Sequence, residues 1–381
     1  MNQSLYIHIP FCKQRCIYCD FFTQTDMHRL DDYVQALTEE LEIRCNYLNY
    51  NQIETIYFGG GTPSLLQQPH FERIFETIKS VYTIADNPEI TIEANPDDLT
   101  TDYIEMLIHQ LFNRISIGVQ SFKDSDLRFL NRRHTAGQAI DAITQCKAKG
   151  LTNINIDLIY GLPGQTTDDW KQNLETAIKL GVTHISAYNL SYEPSTPLCR
   201  MKERGEVTPT DDELCETLFR LTNSILQKAG YDRYEISNYA LRTKEFPEGM
   251  IARHNSSYWF GTPYIGLGAG AHSFNGANRS WNVSDLDEYI NGVKQGLMPC
   301  KTEQLDNKTS YNDYIITRLR TKWGVSTEEI RSRFGEEIFR RFSAKMKHFE
   351  NLNILKSEGS KVKVAEEKIF ISDFIMRELI E

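Results

Sequence analysis

Between Ser4 and Ala229 a short run of β-branched and aromatic residues gives way six times to a stretch with helical spacing of apolar side chains. The strand runs read SLYIHIP, IETIYF, EITIEAN, RISIGVQSF, NINIDLIYGLPG and HISAYNL. Helices are expected at 29–48, 71–81, 102–111, 136–149, 167–180 and 211–229. Strict alternation of this kind demands parallel strands joined by right-handed crossovers, with helices on the outside. The fold class is therefore α/β. Six units suit a partial (β/α)6 barrel better than a four- or five-stranded open sheet, a doubly wound sheet being the alternative.

The unusual residues recur at one place in each unit. Cys12, Cys16 and Cys19 follow the first strand, and Gly59-Gly60-Gly61-Thr62-Pro63 follows the second. Glu93 and Asn95 end the third and Gln120 the fourth. Asp157 lies late in the fifth, before Gly161 to Gly164, and Tyr188 and Asn189 end the sixth. In a β/α barrel these ends share one face, where catalytic groups gather. Each residue alone has an ordinary reading as a turn cap or a satisfied core amide. Their recurrence at six consecutive strand ends carries the argument. The glycines permit backbone to approach a ligand closely. They do not spell G-x-x-x-x-G-K-[ST], so a phosphate loop is not supported.

The chain is acidic, with 42 Lys+Arg against 52 Asp+Glu. That balance argues against a polyanion binder, and a hydrophobic fraction of 40% excludes a disordered chain. The first residues show no signal peptide, and no run has the length of a membrane span. The longest uncharged stretch, 255–278, is broken by five glycines. A cytoplasmic protein without stable membrane insertion is expected, its eight cysteines reduced. Five of them (Cys45, Cys146, Cys199, Cys215, Cys300) are scattered and read as small core hydrophobes. The trio on one loop can converge on a metal centre. A redox pair of Cys16 and Cys19, a zinc site completed elsewhere, and plain burial stay open.

The spacing Cys12-x-x-x-Cys16-x-x-Cys19, followed by Gly60-Gly61-Thr62-Pro63, resembles the radical S-adenosylmethionine superfamily. The resemblance implies a [4Fe–4S] cluster on the three thiolates, with the fourth iron open to the amino and carboxylate groups of S-adenosylmethionine. Reduction would then cleave the sulfonium to a 5′-deoxyadenosyl radical. Over almost its whole length the chain is similar to the oxygen-independent coproporphyrinogen III oxidase group. The matching text is LYIHIPFCKQRCIYCDF, IYFGGGTPS, IEANPD, ISIGVQSF, LNRRHT and NIDLIYGLPGQT. This implies S-adenosylmethionine contacts from Tyr6 and the backbone of Tyr18, and from Gly60, Gly61 and Thr62 along its amino-acid and ribose region. Glu93, Gln120, Arg132 and Asp157 match further binding positions, some belonging to a second cofactor site. Arg132 and Asp157 also have a plain reading as surface ion pairs.

Two departures argue against porphyrinogen decarboxylation, which remains the alternative function. Phe21 stands where the oxidases carry another cysteine, and Cys12 lies almost at the start of the sequence, where they carry a preceding segment. Both are features of a sister branch, the heme chaperones, which also carries the motif His254-Asn255-x-x-Tyr258-Trp259. Physically, an imidazole can ligate heme iron and the two aromatic rings offer flat apolar surface to a porphyrin. Taken alone, a histidine beside aromatics is more often a satisfied core residue. His272, in GLGAGAHSF, is a weaker candidate ligand with a structural reading in a glycine-rich turn. The resemblance implies heme as cargo, an acceptor hemoprotein and an electron donor to the cluster, and leaves a homodimer open.

The expected organisation is a barrel domain at 1–235, a connecting region with the heme motif at 236–300, and a smaller, mostly helical C-terminal domain at 301–381. From Lys301 onward there are 16 Lys+Arg and 14 Asp+Glu, so the tail is near neutral. Helices are expected at 312–322, 327–334 and 337–352, then a hairpin over 361–372 turning on Ala365 to Glu367, and a last short helix. That order resembles a winged helix, but no basic stripe supports nucleic-acid binding. The C-terminal domain of the oxidase-like family, packed over the barrel mouth, fits better.

Overall fold

The computed structural model describes residues 3–48 and 52–381. The first units run β1 (Ser4–Ile9), α1 (Leu30–Ile43), β2 (Gln52–Gly60), α2 (Gln68–Val81), β3 (Thr83–Ala94) and α3 (Thr101–His109). They continue with β4 (Arg114–Gln120), a short α4 (Asp124–Phe129), α5 (Ala136–Ala148), β5 (Ile154–Tyr160), α6 (Thr167–Leu180) and β6 (His184–Asn189). Strands β1 to β6 are parallel and adjacent in chain order, so the six expected units form the expected partial barrel. The sheet curves enough that Glu93 on β3 and Tyr188 on β6 line one cavity.

Local chemistry fixes these elements. Helix α6 opens with a capping box between Thr166 and Asp169 and ends at Gly181 with φ +62°. Its inner face buries Trp170, whose indole N–H donates to Thr222 Oγ1 at 2.8 Å. That threonine lies on α8 (Asp212–Lys228), which follows α7 (Pro197–Glu203).

Beyond β6 the sheet is extended at both edges. Strands β7 (Tyr231–Arg233) and β8 (Asn238–Leu241) add antiparallel outside β6. Then α9 (Arg253–Trp259) leads to β9 (Tyr264–Leu267), which returns across the sheet to pair parallel with β1. Strands β10 (His272–Phe274), β11 (Asn278–Asn282) and β12 (Cys300–Gln304) follow antiparallel, with α10 (Leu286–Lys294) between the last two. Two edges, β12 and β7, end the twelve-stranded ladder. A buried carboxylate locks this extension on: Glu40 of α1 accepts from Tyr289 Oη at 2.6 Å, Gly268 N at 2.8 Å and Asn282 Nδ2 at 2.8 Å.

The C-terminal unit contains α11 (Asn307–Leu319), β13 (Val325–Ser326), α12 (Thr327–Phe334), α13 (Glu336–Asn351), β14 (Leu355–Glu358), β15 (Lys361–Val364) and α14 (Ser372–Leu379). The hairpin expected over 361–372 is corrected. KVKV pairs backward with β14, and residues 366–371 form a 3-10 turn. The turn falls at Gly359, φ +63°, because a tight reversal needs a left-handed residue that glycine takes without strain. Among the described residues no helix is long and apolar enough to cross a membrane.

Candidate functional site

The loop after β1 is pinched shut at its neck. Cys12 N donates to Gln24 O at 2.8 Å and Gln24 N to Pro10 O at 2.6 Å. Its outer part is held by Asn131, whose Nδ2 donates to Arg15 O at 2.8 Å. All three cysteines of the loop line one cavity of about 480 Å³ at the C-terminal ends of the strands. Thr62 Oγ1 donates to Cys12 Sγ at 3.4 Å, and Arg132 Nη1 to Cys16 Sγ at 3.3 Å. Burial pushes the Cys12 thiol up and that of Cys19 up to about 11. Deprotonating thiols there requires a cationic partner. Among the described residues no three His, Cys, Asp or Glu side chains converge as a single-ion site.

The glycine run makes the floor. A Cβ on Gly61 would stand 2.7 Å from Phe11 O, and one on Gly60, φ +110°, would stand 2.5 Å from the His8 ring. Gly60 N donates to Glu93 Oε2 at 3.1 Å and Tyr57 Oη to Glu93 Oε1 at 2.7 Å. Desolvation raises the Glu93 carboxyl to about 7, with Asp157 adding and these two donors opposing. Asp157 is also pushed up by burial, while accepting from Asn155 Nδ2 at 2.9 Å and Ser116 Oγ at 3.3 Å. Arg132 Nη2 donates to Asn95 Oδ1 at 2.5 Å and Gly118 O at 2.6 Å, while its buried Nε has no partner among the described residues. Gln120 turns into the cavity from φ +67°, a strained conformation for a side-chain-bearing residue.

Of the residues singled out for S-adenosylmethionine, Tyr18, Gly60, Gly61, Thr62, Glu93, Gln120, Arg132 and Asp157 line this cavity. Tyr6 lies one layer beneath it, its ring 6.2 Å from Tyr57 and 6.4 Å from His254, its hydroxyl 3.0 Å from His8 Nδ1. Tyr57, which orients Glu93, was not anticipated. Its signal is the alternation Thr55-x-Tyr57-x-Gly59, which marks the inward face of β2.

His254 sits at the opposite end of the strands and is 1% exposed. Its Nδ1 lies 2.8 Å from Thr55 Oγ1 and its Nε2 2.8 Å from Tyr258 Oη. A hydroxyl relay fixes the tautomer. Ser257 Oγ donates to His254 O, Ser4 Oγ to Ser257 Oγ, and Thr55 Oγ1 to Ser4 Oγ. The only hydrogen of Thr55 is thereby used, so its oxygen accepts from Nδ1–H. Nε2 then carries the lone pair and accepts from Tyr258. Burial, and secondarily Arg114, lowers the imidazole to about 3, so it is neutral. Beside it opens a second cleft of about 520 Å³, between α9, the β9–β11 edge and α11. Tyr258 and Trp259 line that cleft; His254 does not. His272 lines neither cavity and stacks on Trp281 at 6.1 Å.

Comparison with known proteins gives the family and the fold. The radical SAM superfamily model matches residues 6–177. The heme chaperone HemW of Mycobacterium tuberculosis (strain ATCC 25618 / H37Rv) is 34% identical over 84% of this chain and 82% of that protein. The heme chaperone HemW of Bacillus subtilis (strain 168) is 31% identical over 94% of both. The chain belongs to the HemW family. In fold, this HemW family member superposes on coproporphyrinogen III oxidase (HemN) from Escherichia coli, a radical SAM enzyme, with a TM-score of 0.84. That match covers 100% of this chain and 90% of the oxidase at 22% identity.

Proposed function

We propose that this protein is a heme chaperone, taking heme at the α9 cleft and passing it to an acceptor hemoprotein. The observation that carries the reading is the fixed tautomer of His254. A metal-ligating histidine donates its other N–H to an acceptor, and Thr55 is that acceptor here. Tyr258 caps Nε2 in the present arrangement, so ligation requires the phenol to swing toward the cleft. Cys12, Cys16 and Cys19 would hold the [4Fe–4S] cluster. Gly60, Gly61, Thr62, Glu93, Gln120, Arg132, Asp157 and the Tyr18 backbone would hold S-adenosylmethionine. The group supplies one-electron chemistry and an open iron when bound. The thiol set, the glycine floor and the orphaned Arg132 Nε fit it. An electron donor to the cluster belongs to the same reading, as does a cytoplasmic location.

The test is heme titration of the anaerobically reconstituted protein, followed in the Soret band. His254→Ala should weaken binding and change the ligand-field signature. An unchanged spectrum in the variant overturns His254 as ligand. Conversion of coproporphyrinogen III to protoporphyrinogen IX by the same preparation would overturn the chaperone reading.

A further inference from the structure

The α9 cleft gathers three guanidinium groups, of which Arg318 is the most loosely paired. On a chain of net charge −10, its wall presents Arg279, Arg318 and Arg333 against one carboxylate, Asp313. Arg318 lies 4.6 Å from the Phe260 ring centroid and 5.6 Å from that of Tyr314, and Arg333 lies 5.5 Å from the Tyr314 centroid. The two guanidiniums therefore both approach the Tyr314 ring, where cation–π attraction favours them. Arg318 reaches its nearest carboxylate, Glu329, only at 3.8 Å, whereas Arg333 meets the same carboxylate at 2.7 Å. Arg279 also lines the cleft, 3.5 Å from Asp313 and 3.3 Å from Glu303. Tyr258, Trp259, Phe260, Tyr264, Phe274 and Tyr314 supply the aromatic part of the wall.

Resting on the heme reading above, we propose that this cleft is the seat of the macrocycle and that Arg318, with Arg279 and Arg333, recognises its carboxylates. The ligand class is a flat apolar ring bearing carboxylates on one edge. Tyr258 and Trp259 cover the face, and the arginines pair with the carboxylates through charge-assisted hydrogen bonds. The site thereby selects on the ring substituents as well as on iron. Tyr258 belongs to both parts, since its ring walls the cleft while its hydroxyl caps His254 Nε2. A ring seated there lies one side chain away from the imidazole.

The experiment compares heme with heme dimethyl ester on three forms of the full-length protein: unaltered, Arg279→Gln/Arg318→Gln, and His254→Ala. The unaltered protein should bind the ester about tenfold or more weaker than heme, a difference set by lost charge-assisted bonds. The double arginine variant should bind both ligands equally, at the ester's affinity, and keep the His254-dependent Soret signature. The His254→Ala variant should lose that signature and still prefer heme to its ester. Equal affinity of the unaltered protein for heme and ester overturns the proposal, and this arm holds even where the arginine variant fails to fold. Heme binding that depends on His254 but not on esterification overturns only the cleft assignment. Absence of heme binding overturns both readings.

Discussion

Thr55 has one hydroxyl hydrogen, and its use decides the chemistry of His254. Thr55→Val leaves Nδ1–H without an acceptor in a buried site. It should cost about 1–3 kcal/mol of stability and weaken heme binding about 10–100-fold, measured by denaturant titration and Soret titration. Tyr258→Phe should act oppositely on affinity, since it uncaps Nε2 and retains the ring. Glu93 gives a pH prediction with a definite sign. Its folded carboxyl titrates near 7, above the ordinary carboxylate value, so the folded state holds its proton more tightly than the unfolded chain. Its contribution therefore turns unfavourable as pH rises from about 4.5 through 7. Glu93→Gln should raise stability at pH 8 by about 2 kcal/mol and change little at pH 4.5, by chemical denaturation at the two values. A constant difference across that range would contradict the assignment. At this scale the sequence was informative for side chains at strand ends, because a barrel collects those ends whatever its details. It was silent on the His254 environment, because Ser4, Thr55 and Ser257 are ordinary residues until the fold brings them together.

The elements that build the cofactor cavity announce themselves in the chain, and those that build the cleft do not. Helices α2 to α6 carry regular apolar spacing and, at Thr135 and Thr166, side chains that cap the first turn. The three-glycine turn after β2 is as explicit, since the approach of Ile9, Pro10 and Phe11 backbone leaves no room for a methyl group. Gly61→Ala should lower stability by about 1–3 kcal/mol through overpacking and abolish S-adenosylmethionine binding in equilibrium dialysis. Retained binding would show that this turn is scaffold alone. By contrast β9 has four residues and pairs with β1, more than 250 positions earlier. Nothing local encodes such a pairing. What fixes it is the buried Glu40 network, which Tyr289, Asn282 and Gly268 satisfy from three separate segments. The misplaced hairpin has the same origin. KVKV alternates correctly, but either flank could supply its partner until Gly359 set the turn.

Across the whole molecule the two sites occupy opposite ends of one barrel. The cysteine cavity opens at Gly60 and the His254 site begins at Thr55, five residues back along β2, which spans about 16 Å. A contiguous set of buried side chains joins them: Glu93 receives the Tyr57 hydroxyl, and the Tyr57 ring stacks on His254 at 4.9 Å. Arg114, buried among them, bears on both Glu93 and His254. This arrangement separates steric from energetic linkage. With the proposed assignments, S-adenosylmethionine and heme would lie apart, so saturating S-adenosylmethionine should leave the number of heme sites unchanged in a Soret titration. Loss of heme in proportion to added S-adenosylmethionine would mean one shared site and would refute the separation. Any coupling must instead appear as a change of affinity, equal in both directions by linkage. It should vanish in Tyr57→Phe, which keeps the stacking ring and removes the hydroxyl that reports on Glu93. The C-terminal unit adds an asymmetry. Its α11 walls the cleft and contributes no residue to the cysteine cavity. Heme should therefore slow amide exchange in α9 and α11 together, whereas S-adenosylmethionine should slow it in the cysteine loop and the β2 turn. Protection of α11 by S-adenosylmethionine alone would place a ligand contact where this geometry has none.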